Sequence, residues 1–449
     1  MASVVQQRRS GRAHADRRAR TEPTRYLFLT TSAVFGVALL LGGAGAAYAV
    51  PGAVVQIGAL ALLWHIASIE HRLRRPRHAA LPIALLFLML AVPLVQLVPL
   101  PAPVWSALPA RETARAVYAQ IGLADAWRPL SLHPAGTVHA ALALLPGIAL
   151  FFATLFLPTR VRRYLIFALL SVALVSALIG LLQKSGLFAL YGAAARDSAS
   201  GLFVNRNHQA SFLLAAMPLA AAAARGLKGA RLAAASLAVM LILVFAGGVV
   251  TTMSRFGLLA LAPTLLVTIL ILGPFRWTRP RTAGAILVSA LATALALQSS
   301  AVRAAAARLG GVAEERLEDW PSVLEAAWSY WPVGSGLGSF RHVYPAAEPF
   351  ANLSPAELNN AHNDYLELVL ETGIAAPVLL AGFLGFILLA AAHLTGTKGE
   401  ERAQGTAALA AILLILLHSA VDYPLRMLSV AALFGFLCGL IVPAAEKRR

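Results

Sequence analysis

"TRVRRYLIFALLSVALVSALIGLLQK", residues 159–184, places three arginines in its first five positions and then runs from 164 to 183 without a charge. At about 1.5 Å of helical rise per residue that run reaches about 30 Å, the thickness of a bilayer's hydrocarbon core. The stretch reads as a membrane span with a basic flank. The rest of the chain divides on the same scale. Of the 449 residues, 59% are hydrophobic and 13% charged, against roughly 25% charged in soluble domains. Twelve apolar segments follow, near 26–43, 48–68, 80–99, 137–157, 164–183, 209–224, 232–250, 257–273, 283–298, 365–392, 405–420 and 427–443. The expectation is an all-α polytopic membrane protein. Its organisation is a basic tail (1–25), spans one to nine (26–298), a large loop with short helices (299–364), spans ten to twelve (365–443) and a second tail (444–449).

The formal charge of +17 is distributed by side of the membrane. With the N-terminus placed inside, the tails and even-numbered loops hold 25 of the 37 Lys and Arg, among them Arg72, Arg74, Arg75, Arg77, Arg160, Arg162 and Arg163. The other side holds 12, together with 14 of the 20 acids. This is the positive-inside pattern, so both termini are expected in the cytoplasm. Nucleic acid is excluded as a partner because no basic stretch is interleaved with aromatics. Seven arginines before residue 26 and "AYA" at 47–49 imitate a secretory signal, but a retained first span is expected. The single cysteine, Cys438, rules out an intramolecular disulfide and a cysteine metal cluster.

Inward loops such as "RGLKGAR" (225–231) have room only for a turn and a few charges. Chemistry is therefore expected outside, in 99–136, 184–207 and 299–364. The chain has no phosphate-loop, Asp-x-Asp or H-E-x-x-H motif. "GSGLG" (334–338) follows no strand and reads as a flexible turn before Phe340. A substrate activated beforehand and carried by a lipid suits such a site.

Four outward places carry ionisable groups. "FVNRNHQASF" holds Asn205, Arg206, Asn207 and His208 before an apolar run, and "TTMSRFG" holds Ser254 and Arg255 in a turn. "NNAHNDYLELVLETG" (359–373) holds His362, Asn363, Glu367 and Glu371, and "HSAVDYPLRM" holds Asp422 and Arg426 about Pro424. Asn360, Asn363 or Asp364 also suits a cap for the helix that follows, Glu367 and Glu371 share a helix face and suit bonds to neighbouring helices, and Asp422 with Arg426 suits a structural ion pair. If one helix begins near Asn363, Glu371 lies about 12 Å into it, where a charge is costly unless paired. Guanidinium groups suit phosphate oxygens, and an imidazole is largely neutral near pH 7 and so can accept a proton.

"GLFVNRNHQASFLLAAMPL", "TTMSRFG", "WPVGSGLGSF" and "AHNDYLELVLETGI", in this order over residues 165–443, resemble the O-antigen ligase and O-antigen polymerase superfamily of bacterial inner-membrane proteins. The resemblance implies a GT-C-like glycosyltransferase with no metal or nucleotide cofactor. It would move a glycan from undecaprenyl pyrophosphate to a hydroxyl of lipid A core or of a growing polysaccharide at the periplasmic face, among membrane lipids. It implies His362 as the essential histidine, with Glu371 as the acid of the same string and a partner for His362 or an arginine. Arg206 and Arg255 would bind pyrophosphate, with Asn205, Asn207, His208, Asn363 and, in the large loop, Arg316 around the substrate. "WRPLSLHP" (127–134) resembles relatives from exopolysaccharide export loci. Ligase and polymerase are not separated by these residues. A carrier of lipid-linked saccharide and a non-catalytic assembly subunit are the competing readings.

Overall fold

The computed structural model describes residues 2–45, 48–73, 78–188, 190, 199–273, 309–350 and 358–444. In chain order the elements are α1 (Ala2–Leu41), α2 (Ala49–Ile69), α3 (Ala80–Gln96), β1 (Pro99–Leu100), α4 (Ala102–Ser106), α5 (Glu112–Gln120), β2 (Arg128–Pro129), α6 (Pro134–Phe156), α7 (Thr159–Lys184) and α8 (Arg206–Gly226). There follow α9 (Arg231–Thr252), α10 (Arg255–Leu272), α11 (Leu309–Ser329), the single turn α12 (Phe340–Val343), α13 (Asp364–Thr372), α14 (Ala375–Gly396), α15 (Gly399–Ser419) and α16 (Leu428–Ile441). Among the described residues, eight helices are long and apolar enough to cross a membrane, while α3 and α16 are shorter apolar helices. The expected span at 283–298 lies outside the described residues.

The bundle closes around α8. Every residue of it from His208 to Ala223 is buried, and α7, α9, α10 and α15 pack against it. Alanines at 215, 216 and 220–223 let these neighbours approach on all sides. Within lipid, helix association depends on close packing between small residues, because hydrocarbon offers no hydrophobic drive. The outer helices turn Trp64, Leu243 and Leu259 away from the protein, as a lipid-facing surface requires.

The tightest helix pair is α6 with α16. A Cβ on Gly435 would strike the carbonyl of Gly147, and one on Gly439 would lie 2.6 Å from Thr154 Cβ. Gly435 and Gly439 form a G-x-x-x-G ridge that lets two backbones touch. At the end of the same pair the buried Arg162 donates to the carbonyls of Leu157 at 2.8 Å and Val442 at 2.9 Å, satisfying acceptors at both helix C-termini.

The expected span 365–392 is two helices. α13 stops at Thr372, and Gly373 takes φ +55° where a Cβ would collide with the Pro332 carbonyl. The amide of Ile374 then donates to that carbonyl at 2.8 Å. Glu371 accordingly ends a nine-residue helix rather than lying two turns inside a span. β1 and β2 pair antiparallel, Pro99 with Pro129 and Leu100 with Arg128, the one short ladder among the described residues.

"GSGLG" is an interlock rather than a flexible turn. The amides of Ser335 and Gly336 donate to the carbonyls of Leu370 and Glu371, each at 3.0 Å, and Leu337 N donates to Gln96 Oε1 at 2.8 Å. Gly336 has φ +112° and lies against Ser131, where a side chain has no room.

Replacing Gly435 with Ala is expected to cost about 2–3 kcal/mol, the upper part of the overpacking range, because a carbonyl cannot move aside as a side chain can. A fall in the thermal midpoint of the detergent-purified protein checks this, with Gly385→Ala, which meets nothing, as the neutral control.

Candidate functional site

Three helices start or end at one place. α8 opens at Arg206, where Asn205 Oδ1 accepts from Asn207 N at 2.8 Å. α10 opens at Arg255, where Ser254 Oγ accepts from Gly257 N at 3.2 Å after Met253 has taken a left-handed cap, φ +54°. The two openings meet: a Cβ on Gly257 would lie 2.8 Å from that of Ala210, one turn past Arg206. α15 ends beside them, carrying His418 in its last turn. Phe256, next to Arg255, stacks on the His418 ring at 4.3 Å and 15°.

Asp422, 1% exposed, occupies the centre. Its Oδ2 accepts from Asn207 Nδ2 at 2.7 Å and its Oδ1 from its neighbour's amide, Tyr423 N, at 3.0 Å. Three imidazoles face it: His362 Nδ1 at 3.4 Å and His208 Nε2 at 4.0 Å from Oδ1, and His418 Nε2 at 3.6 Å from Oδ2. Burial pushes this carboxyl up, but the imidazoles of His362, His418 and His208 outweigh it and hold it well below the ordinary carboxylate range. Solvent reaches only one of these rings: the His362 side chain is 20% exposed, against 0% and 1% for His208 and His418. With Nδ1 turned to the carboxylate, Nε2 is the nitrogen of His362 left for other chemistry.

His362 sits at φ +48°, a conformation that costs a non-glycine residue about 1–3 kcal/mol. The loop is held from below. Glu367, fully buried, accepts from Asn360 Nδ2 and from Ala361 N, each at 3.0 Å, while Asn363 Oδ1 caps α13 by accepting from Tyr365 N and Leu366 N. Tyr365 Oη donates to the Leu416 carbonyl at 2.7 Å, which ties α13 to α15 and so sets His362 beside Asp422.

A second charged knot lies behind this one. Arg426 reaches Glu367 Oε1 at 3.0 Å, Glu371 Oε2 at 3.1 Å and Asp364 Oδ1 at 3.7 Å. The expected pairing of Asp422 with Arg426 is thus replaced: Pro424–Arg426 forms a 3-10 turn, and the two side chains find separate partners. Glu371 also accepts from Phe340 N at 3.1 Å. It therefore positions Arg426 and the glycine interlock, and the structure gives it no bond to His362. One guanidinium cannot offset three carboxylates. Burial pushes Glu367 up, Arg426 pulls against it and the Glu371 charge adds to the rise. Burial likewise lifts Asp364 to about 6 against the pull of Arg426.

Of the residues singled out in the sequence, the structure brings His362, Asn207 and His208 onto one carboxylate and places Arg206 and Arg255 at the adjoining helix starts, both half-buried. His208 is too deep to touch a substrate. Asn363 is spent on its cap and Asn207 on Asp422, so these position the site. The side chain of Arg316, in α11, lies outside the described residues. Sequence reasoning missed Asp422 as the hub, together with His418 and Ser211. An acid four residues beyond a histidine at the end of an apolar run was the available signal.

Residues 238–381 match the family model described as O-antigen ligase, a stretch holding Arg255, His362 and Glu371 but ending before Asp422. No curated protein matches the chain.

The raised Asp364 carboxyl makes stability depend on pH with a definite sign. Its proton is retained in the native state and released by the unfolded chain between about 4 and about 6, so this contribution is full below that window and lost as pH rises through it. Asp364→Asn removes the titration, so its thermal midpoint should gain on the parent's between pH 4.5 and 7.5. A constant difference would mean that Asp364 carries no such proton.

Proposed function

We propose that this chain of the O-antigen ligase superfamily transfers a glycan from undecaprenyl pyrophosphate to an acceptor hydroxyl in polysaccharide biosynthesis. The acceptor is lipid A core or a growing polysaccharide, and the site faces the periplasm from the bacterial inner membrane. The observation that carries the reading is His362, partly exposed and turned by Nδ1 to a buried carboxylate 3.4 Å away, beside two helix starts that each begin with an arginine. The bias of 25 of 37 basic residues to the opposite side supports the outward assignment. In this arrangement residues 1–25 and 444–449 lie in the cytoplasm.

Each group has a part in the step. His362 Nε2 takes the proton of the acceptor hydroxyl as its oxygen bonds to the anomeric carbon. The bond from that carbon to the phosphate oxygen breaks, and its electron pair leaves on undecaprenyl pyrophosphate. Arg206 and Arg255 hold the departing charge by planar, multidentate contacts. The positive ends of the α8 and α10 dipoles add to the field at this place, although the amides of Asn207 and Gly257 are taken by their caps. Asp422 holds His362 in the tautomer that keeps Nε2 unprotonated and then stabilises the imidazolium. No metal or nucleotide enters.

Purified protein in liposomes, given a defined lipid-pyrophosphate-linked repeat unit with and without a lipid A core acceptor, tests the proposal through product masses. Product should form in EDTA. Transfer only to the core marks a ligase, and a ladder of repeats a polymerase. His362→Ala should lower turnover about 10²–10⁴-fold, and Arg206→Ala or Arg255→Ala about 10²–10³-fold, with the folded protein retained. Translocation of the donor with its pyrophosphate bond intact would replace this reading by transport.

A further inference from the structure

Behind Asp422 lies a set of side chains that the transfer step does not use. Ser211 Oγ, on the central helix α8, is 2.6 Å from His418 Nδ1, and His418 Nε2 faces Asp422 Oδ2 at 3.6 Å. Ser211 and His418 are each 1% exposed. The order Ser, His, Asp is that of a nucleophilic triad, but no substrate reaches a hydroxyl so deeply enclosed. The arrangement faces inward, and its far end is the carboxylate that holds His362.

The tautomer of His418 follows from its neighbours. Asp422 Oδ2 already accepts from Asn207, and His418 Nε2 faces the same oxygen across 3.6 Å as a charge contact without a hydrogen bond; a nitrogen turned to an anion in this way favours the tautomer with its proton on Nε2. Nδ1 is then a lone pair, and the Ser211 hydroxyl, 2.6 Å away, donates to it. The ring cannot tilt freely, because Phe256 stacks on it at 4.3 Å from the first turn of α10. The other groups on the carboxylate are Asn207 and Tyr423 N, with His208 Nε2 4.0 Å from Oδ1.

From this geometry we infer that His418, fixed by Ser211, is a positioning residue for His362: it keeps Asp422 an anion that orients the base without taking its proton. The inference rests on the reading of His362 as the base. An Nε2–H directed at Oδ2 lowers the carboxylate's affinity for a proton. Without it, Asp422 draws more strongly on the Nδ1 proton of His362, and His362 becomes more basic at Nε2. More of it is then already protonated when the acceptor arrives, and the acid limb of the rate profile moves to higher pH. Phe256 joins this chain to the helix that opens with Arg255, so the ring that sets the base is held by the element that also carries an arginine of the proposed donor site.

The test uses the full chain in liposomes with the lipid-pyrophosphate-linked repeat unit, measuring kcat, KM for that donor and the pH profile. His418→Leu keeps bulk against Phe256 but removes the donor to Asp422. Its kcat should fall about tenfold or more at neutral pH with KM little changed, and its acid limb should move upward. His418→Gln, which retains an N–H for Asp422 and an acceptor for Ser211, should recover most of the rate and return the limb toward the parent position. Ser211→Ala should shift the limb in the same direction by a smaller amount, and it carries the test should His418→Leu not fold. A folded His418→Leu, or failing that Ser211→Ala, with parental kcat and an unmoved profile overturns the inference. If His362→Ala remains inactive in that case, the reading of His362 as base stands. Full activity in His362→Ala instead removes the base itself.

Discussion

A carboxylate taken out of water must be surrounded by donors, and Asp422 meets that demand by drawing together parts of the chain that are far apart in sequence. Leaving such a group without its partners costs about 3–5 kcal/mol, a large share of a typical domain's net stability. Asn207 at the head of α8, the His362 loop ahead of α13 and His418 at the foot of α15 all turn toward it. The convergence of these three elements is therefore a condition of burying Asp422, and the partly exposed imidazole at the rim is a product of the same requirement.

The second knot makes the first rigid. Arg426 lies four residues beyond Asp422 but belongs to the opposite side of the 3-10 turn, where three acids of α13 meet it. Glu367 links the two knots, since its two oxygens receive the loop that carries His362 while Oε1 also meets Arg426. Glu371 extends the network outward to Phe340 N and, through its backbone carbonyl, to Gln96 Nε2 at 2.9 Å. Strain in the His362 backbone persists because hydrogen bonds on both sides of it leave no alternative path.

Hydropathy made the membrane class legible, because a spanning helix must be apolar over its whole length whatever it packs against. The cap at Asn363 was legible for a similar reason, since its side chain satisfies donors two and three residues away, whereas the caps at Asn205 and Ser254 emerged only in the structure. The break at Gly373 was hidden, since the apolar run continues through it and only the Pro332 carbonyl from another segment requires the left-handed turn. The partners of Asp422 were hidden too. Asp422 and Arg426 flank Pro424 in one short turn, which suggests an ion pair, yet the turn sends the two side chains to separate partners, and burial favours whichever distant groups fit. Of the cluster about Asp422, the sequence had singled out His362, Asn207 and His208, while which group each of them holds required coordinates.

That arrangement follows from where the charges lie relative to α8. A helix buried on every side has no lipid face to tolerate error, so its neighbours approach through alanines and their ends are fixed with it. Arg206 and Arg255 open two helices whose first turns are in backbone-close contact near Ala210 and Gly257. Groups mounted in this way lose little freedom on meeting a ligand, which is the condition under which fixed dipoles and guanidinium charges stabilise developing negative charge most. Their positions are set by helix starts and by a buried carboxylate. In the proposed transfer, the charges that would hold the donor are thereby fixed by the bundle itself.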